Sequence, residues 1–157
     1  MADPEQRQRI LAFFEERFGI PPKVFDPYEL IVRGRNIWIV ARSPHLGQAF
    51  SLELHTVGLR LARETNLGIK PTSYGLQVFG HRATKNRVEL SREQAVRFLR
   101  GEELNLETDT QSEPGFVVVS YEGDVLGCGL YKTGGLLFSL IPKKVRLDAP
   151  RPDADTV

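Results

Sequence analysis

A chain of 157 residues with 41% hydrophobic and 26% charged residues has the size and composition of one ordinary globular domain or of two small ones packed together. This excludes a multidomain enzyme, wholesale disorder and a fibrous repeat. The 21 Lys and Arg stand against 20 Asp and Glu, a net charge of +1, so the total selects neither nucleic acid nor protein as a partner and any signal must lie in how charge is distributed.

Asp3 is a good N-cap, Pro4 suits the first helical position and Gln6 completes a capping-box spacing, so a helix is expected from Pro4 to the stop at Gly19-Ile20-Pro21-Pro22. Ile10, Phe14 and Phe18 give it an apolar face. Two alternating runs, 28–32 and 37–41, flank Arg33-Gly34-Arg35-Asn36 and predict a β-hairpin with Trp38 on one face. Ser43-Pro44 opens a loop or short helical turn, and Phe50, Leu52 and Leu54 alternate as in a half-buried strand. Residues 58–63 suit a strand better than a helix, and 66–68 read as a turn. Thr72 and Ser73 cap a short helix ending at Gly80. Ser91 and Gln94 form a second capping box, opening a helix with Ala95, Phe98 and Leu99 inside and Arg92, Arg97 and Arg100 outside. From Gly115 the pattern is β: 116–121, 125–131 and 136–140 with turns between them, then a last short strand at 145–147.

Charge is segregated along the second half. Residues 81–100 carry six cations and two carboxylates, 101–124 carry seven carboxylates and no cation, and 125–147 carry four cations and no carboxylate. Signatures of catalysis are missing: there is no phosphate-cradling glycine loop, no His-Glu-x-x-His and no Gly-x-Ser-x-Gly. Cys128 is the only cysteine, so no internal disulfide forms, and with three histidines it makes no metal-ligand spacing. Placed mid-strand between Gly127 and Gly129, it reads as a packing residue and not a nucleophile. No metal, cofactor or catalytic residue is therefore expected. No apolar run approaches the ~20 residues of a membrane-spanning helix and the start of the chain is not signal-like, so a cytoplasmic protein with no membrane partner is the default.

The segments 18–25 and 32–39 resemble the pre-PUA region of small ribosome-biogenesis proteins. Val88-Glu89-Leu90, Phe98-Leu99-Arg100-Gly101-Glu102, and the run from Gly115 through Gly127-Cys128-Gly129 to Ile141-Pro142-Lys143 resemble the PUA-like module at the C-terminus of Sun-type RNA 5-methylcytosine methyltransferases. The resemblance implies an α+β fold: an N-terminal small α/β pre-PUA half (1–70) packed on a C-terminal PUA-like β pseudobarrel (71–148), with 149–157 a flexible tail. It implies RNA binding without catalysis. Sun-type catalysis requires a Rossmann-like S-adenosylmethionine domain and a cysteine beside a proline, whereas Cys128 lies between glycines.

The expected function is therefore that of a non-enzymatic RNA-binding protein of PUA type. It would act on structured rRNA or tRNA in ribosome biogenesis or RNA modification, alone or with a separate RNA-modifying enzyme or ribosome assembly factor. The alternative is a protein-interaction module or accessory subunit of an RNA methyltransferase, docking through the acidic 101–124 segment or the aliphatic 136–141 run. The residues expected to meet phosphate are Lys70, Arg82, Lys85, Arg87, Arg92, Lys132, Lys143, Lys144 and Arg146, with Tyr74 or Tyr131 available to stack on an unpaired base.

Overall fold

The computed structural model describes residues 1–42, 58–106 and 112–148. The expected loop at Ser43-Pro44, the strand around Phe50–Leu54 and the tail 149–157 lie outside the described residues. The architecture is α+β, as the sequence predicts, with two sheets and three α-helices among the described residues.

Helix α1 (Pro4–Phe18) begins at a reciprocal capping box: the Asp3 carboxylate accepts from the Gln6 N–H at 2.8 Å, and the Gln6 side chain accepts from the Asp3 N–H at 3.1 Å. It ends on Gly19 at φ 67°, and Ile10, Phe14 and Phe18 are fully buried beneath it. Strands β1 (Tyr28–Arg33) and β2 (Asn36–Ala41) form the expected hairpin on the two-residue turn Gly34-Arg35, with Gly34 at φ 57°. Trp38 packs with Ile31 and Val40 on one face of it. β3 (Leu59–Thr65) and β4 (Gly68–Pro71) complete an antiparallel sheet in the order β1-β2-β3-β4.

Helix α2 (Ser73–Phe79), capped by Thr72, bridges to the second sheet, and the chain then tightens into a 3-10 turn at Gly80–Arg82. That sheet contains β5 (Arg87–Glu89), β6 (Leu104–Asn105), β7 (Gly115–Tyr121), β8 (Asp124–Lys132) and β9 (Leu136–Ser139), in the order β5-β7-β8-β9-β6. β5 runs parallel to β7 and the other pairs are antiparallel. β5 and β6 are the two edges, yet only helix α3 (Arg92–Leu99) and its flanks join them, so the sheet has to curl around that helix. Phe98 fills the curl, packed with Val117, Val119 and Leu137.

β7 and β8 have two buried faces. Val117 and Val119 point to α3, while Val118 and Cys128 join the core under α1 with Phe14, Phe18 and Leu76. This alternation places the glycines: a methyl group on Gly127 would lie 2.6 Å from Ile141 Cδ1 and 2.8 Å from Ser73 Oγ. Ser73 fastens the contact, donating to the Leu140 carbonyl at 3.1 Å and accepting from the Cys128 N–H at 3.0 Å.

The last expected strand is corrected. Lys143–Val145 is a 3-10 turn closed by Val145 N–H on the Pro142 carbonyl, and no strand covers 145–147. β6 already occupies the β9 edge that such a strand would need. Leu99 is also only half-buried, and Ala95 and Phe98 alone form the closed stripe of α3.

Candidate nucleic-acid interface

A groove runs along the seam between the two sheets. Its larger cleft, about 690 Å³, has Arg35, Arg63 and Lys70 on the first-sheet side and Phe116, Leu130 and Leu140 on the other. A smaller one of about 150 Å³ continues past Arg63 and Lys70 to Arg60, Tyr74 and Pro142.

The local backbone explains the concentration of cations. Arg60 and Arg63 are three apart in β3 and in a regular strand would face opposite sides of the sheet. The pairing with β2 slips between Ile37 and Trp38: Ala62 is opposite Ile37 and Arg60 opposite Trp38, so the intervening Leu61 is an extra residue. Leu61 and Ala62 are both buried by this bulge, and Arg60 and Arg63 both line the groove. The β3–β4 register then sets Arg63 directly opposite Lys70. Like charges directly opposite in a sheet are destabilising, and an anion between them removes the repulsion. Glu64, a carboxylate of the groove wall, is engaged by Arg9 in an ion pair, whereas among the described residues no ion pair involves Arg60, Arg63 or Lys70. Among the described residues the Arg35 guanidinium reaches only the Asn66 side-chain oxygen, at 3.5 Å.

Of the nine cations expected from the sequence, the groove takes in Lys70. Lys132 is exposed at the end of the β8–β9 hairpin with its Nζ 4.8 Å from the Phe138 ring centre. Lys143 and Lys144 are exposed and follow Pro142, which lines the groove. Arg82 and Lys85 are exposed in the turn after α2, and Arg92 is exposed on α3; none of these three lines the groove. Arg87 donates to the Ala83 carbonyl at 2.9 Å, and Arg146 donates to the Ile141 carbonyl at 3.1 Å, so both guanidinium groups brace their own loops. Of the two candidate stacking residues, Tyr74 is half-buried in the groove, while Tyr131 packs against the second core. Arg35, Arg60, Arg63 and Phe116 escape sequence reasoning because they are brought together by the bulge and the seam.

Beneath the groove the seam is tied by polar contacts. Arg17 of α1 donates to the carbonyls of Phe116 and Glu113, each at 2.6 Å, and burial lowers its pKa below the ordinary arginine value, with the Glu113 charge opposing that shift. Asn86, at φ 55°, donates to the Arg17 carbonyl at 2.5 Å and accepts from the Glu113 N–H at 2.9 Å. Cys128 is fully buried, and loss of solvation pushes its thiol up to about 12, so it has no nucleophilic form near neutral pH. No cluster of metal-ligating side chains occurs among the described residues, and no helix there is long and apolar enough to cross a membrane.

Residues 85–147 match the family model described as the methyltransferase RsmF PUA domain. The whole chain is similar to proteins named ribosomal RNA small subunit methyltransferase F. It is 28% identical to that of Aeromonas salmonicida over 146 residues, covering 92% of this chain and 29% of the relative. To that of Shewanella oneidensis it is 29% identical over 150 residues, covering 94% and 30%. The chain thus spans under a third of the length of the curated relatives it matches. Within it, the segment from Lys85 to Leu147, curled sheet and enclosed helix together, is a PUA-like module related to that of the Sun-type RNA methyltransferases.

Proposed function

We propose that this chain binds structured RNA, with rRNA ahead of tRNA, and holds it for modification without carrying out the chemistry itself. The observation that carries this reading is the Arg63–Lys70 pair, two cations placed opposite each other in an exposed groove, an arrangement whose repulsion an anionic ligand relieves. Arg35 and Arg60 extend the positive track, and Tyr74 offers an aromatic face beside it. The names of the relatives support rRNA as the RNA; the partner in this reading is a separate RNA-modifying enzyme or assembly factor. We divide the chain near Pro71 into a pre-PUA unit and the PUA-like unit. Lys70 then stands at their junction, with Lys132, Lys143 and Lys144 on the flank of the contact. Arg82, Lys85 and Arg92 contribute longer-range attraction. Arg87 and Arg146 act through the loops they brace.

Docking of a protein on the 136–141 run is the weaker reading, since Leu137 and Ile141 are spent on the core. The two readings separate in a gel-shift series with an rRNA fragment. Replacing Arg63 and Lys70 by Glu together should weaken binding by about tenfold or more, and Arg82→Glu with Lys85→Glu should weaken it less. Lys70→Val should raise thermal stability by about 0.5 kcal/mol while reducing affinity, because the cross-strand repulsion disappears along with the phosphate contact. Unchanged RNA binding in the groove double variant would defeat the proposal.

A further inference from the structure

The two sides of the larger cleft differ chemically, and the difference bears on which form of RNA it accepts. Phe116 and Leu130 are cross-strand partners, both half-buried. The next pair on the same face of the sheet, Val118 and Cys128, is fully buried beneath α1. The apolar wall is therefore the continuation of a core face beyond the part that the described residues of the N-terminal half cover. Leu140 extends this wall, and the fully exposed Leu67 stands at its mouth on the β3–β4 turn. Arg35 and Arg63 face it from the first sheet.

Resting on the RNA-binding reading above, we propose that this cleft takes one unpaired nucleobase against Phe116 and Leu130 while Arg35 and Arg63 hold the phosphates beside it. An apolar wall facing guanidinium groups complements a nucleotide, which has an apolar ring face and an anionic backbone. A base inside a duplex is stacked on both faces and has no ring surface to give such a wall, so a continuous duplex engages the cations alone. The volume of about 690 Å³ lies within the range of sites that enclose small ligands. The RNA selected is one with a bulge, loop or single-stranded stretch.

The test measures affinity of the full chain for three short oligoribonucleotides: a fully paired duplex, the same duplex with a single-nucleotide bulge, and one strand alone. The bulged and single-stranded RNAs should bind about tenfold more tightly than the duplex. Leu130→Trp, which fills the cleft, should abolish that preference. Leu67→Asp, on an exposed turn outside the core, should reduce the preference in the same direction and serves if Leu130→Trp fails to fold. Equal binding of all three RNAs by the parent chain, or an undiminished preference in a folded variant, overturns the inference and leaves the cleft to a protein or a second copy of this chain. Absence of binding to any of the three overturns the RNA-binding reading with it.

Discussion

Single residues here are selected by the space between the two sheets. Ser73 illustrates this: its one hydroxyl serves both the Leu140 carbonyl and the Cys128 N–H, joining α2 to two strands at a point where water is excluded. Cys128 is a packing residue because Gly127 and Gly129 on either side let other chains approach closely, and its thiol stays protonated because burial disfavours the thiolate. This makes a pH prediction. The pKa is raised in the folded chain, so the contribution to stability is complete below the ordinary value of 9.0 and is lost as pH rises from there toward about 12. Denaturant titrations of the parent chain and Cys128→Ser between pH 7 and pH 10 should show the parent losing stability at the alkaline end relative to the variant. In the native chain at pH 8, iodoacetamide should modify Cys128 only at the rate of global unfolding; rapid alkylation would contradict the burial.

At the scale of elements, chemically distinct local signals in the sequence correspond to the elements of the described residues. Both capping boxes, at Asp3-Gln6 and Ser91-Gln94, and the Gly34 hairpin are local hydrogen-bonding or φ requirements that the sequence states directly. Non-local features were not legible. β4 is four residues long and β5 three, too short for a period to show, and the parallel pairing of β5 with β7 has no local signature. The 145–147 run has the composition of a strand, but β9 is already paired with β6 and the chain forms a 3-10 turn at Lys143–Val145 instead. The bulge in β3 breaks the alternation on which strand reading relies, and it is this break that brings Arg60 and Arg63 to one groove. Helix α3 provides the check on element orientation. Phe98 is fully buried, so Phe98→Ala should cost about 3 to 5 kcal/mol, whereas exposed Arg97, bonded to Glu102 and Glu103, should cost within about 0.5 kcal/mol on replacement by Ala. Chemical denaturation reads both, and similar losses would mean that the helix packs on another face.

On the scale of the whole molecule, the groove exists because two sheets share one core and stop covering each other along its rim. Phe14 and Phe18 from the N-terminal half, with Leu76 of α2, enclose Val118 and Cys128 of the second sheet, while Phe116 and Leu130, one pair further along, are left half-open. The charge blocks in the sequence pointed to the second half of the chain, yet four cations of the groove, Arg35, Arg60, Arg63 and Lys70, come from the first. Only Lys70 and Tyr74 were expected there, since linear charge density does not record which residues a seam will gather. The most direct measurement of the central claim is the salt dependence of RNA affinity for the parent chain and for Arg63→Glu/Lys70→Glu. A groove that neutralises phosphates predicts a linear fall of log affinity with log salt in the parent, and a slope smaller by about 0.7 for each of the two contacts in the variant on single-stranded RNA. A parent slope near zero, or an identical slope in the two proteins, would contradict it.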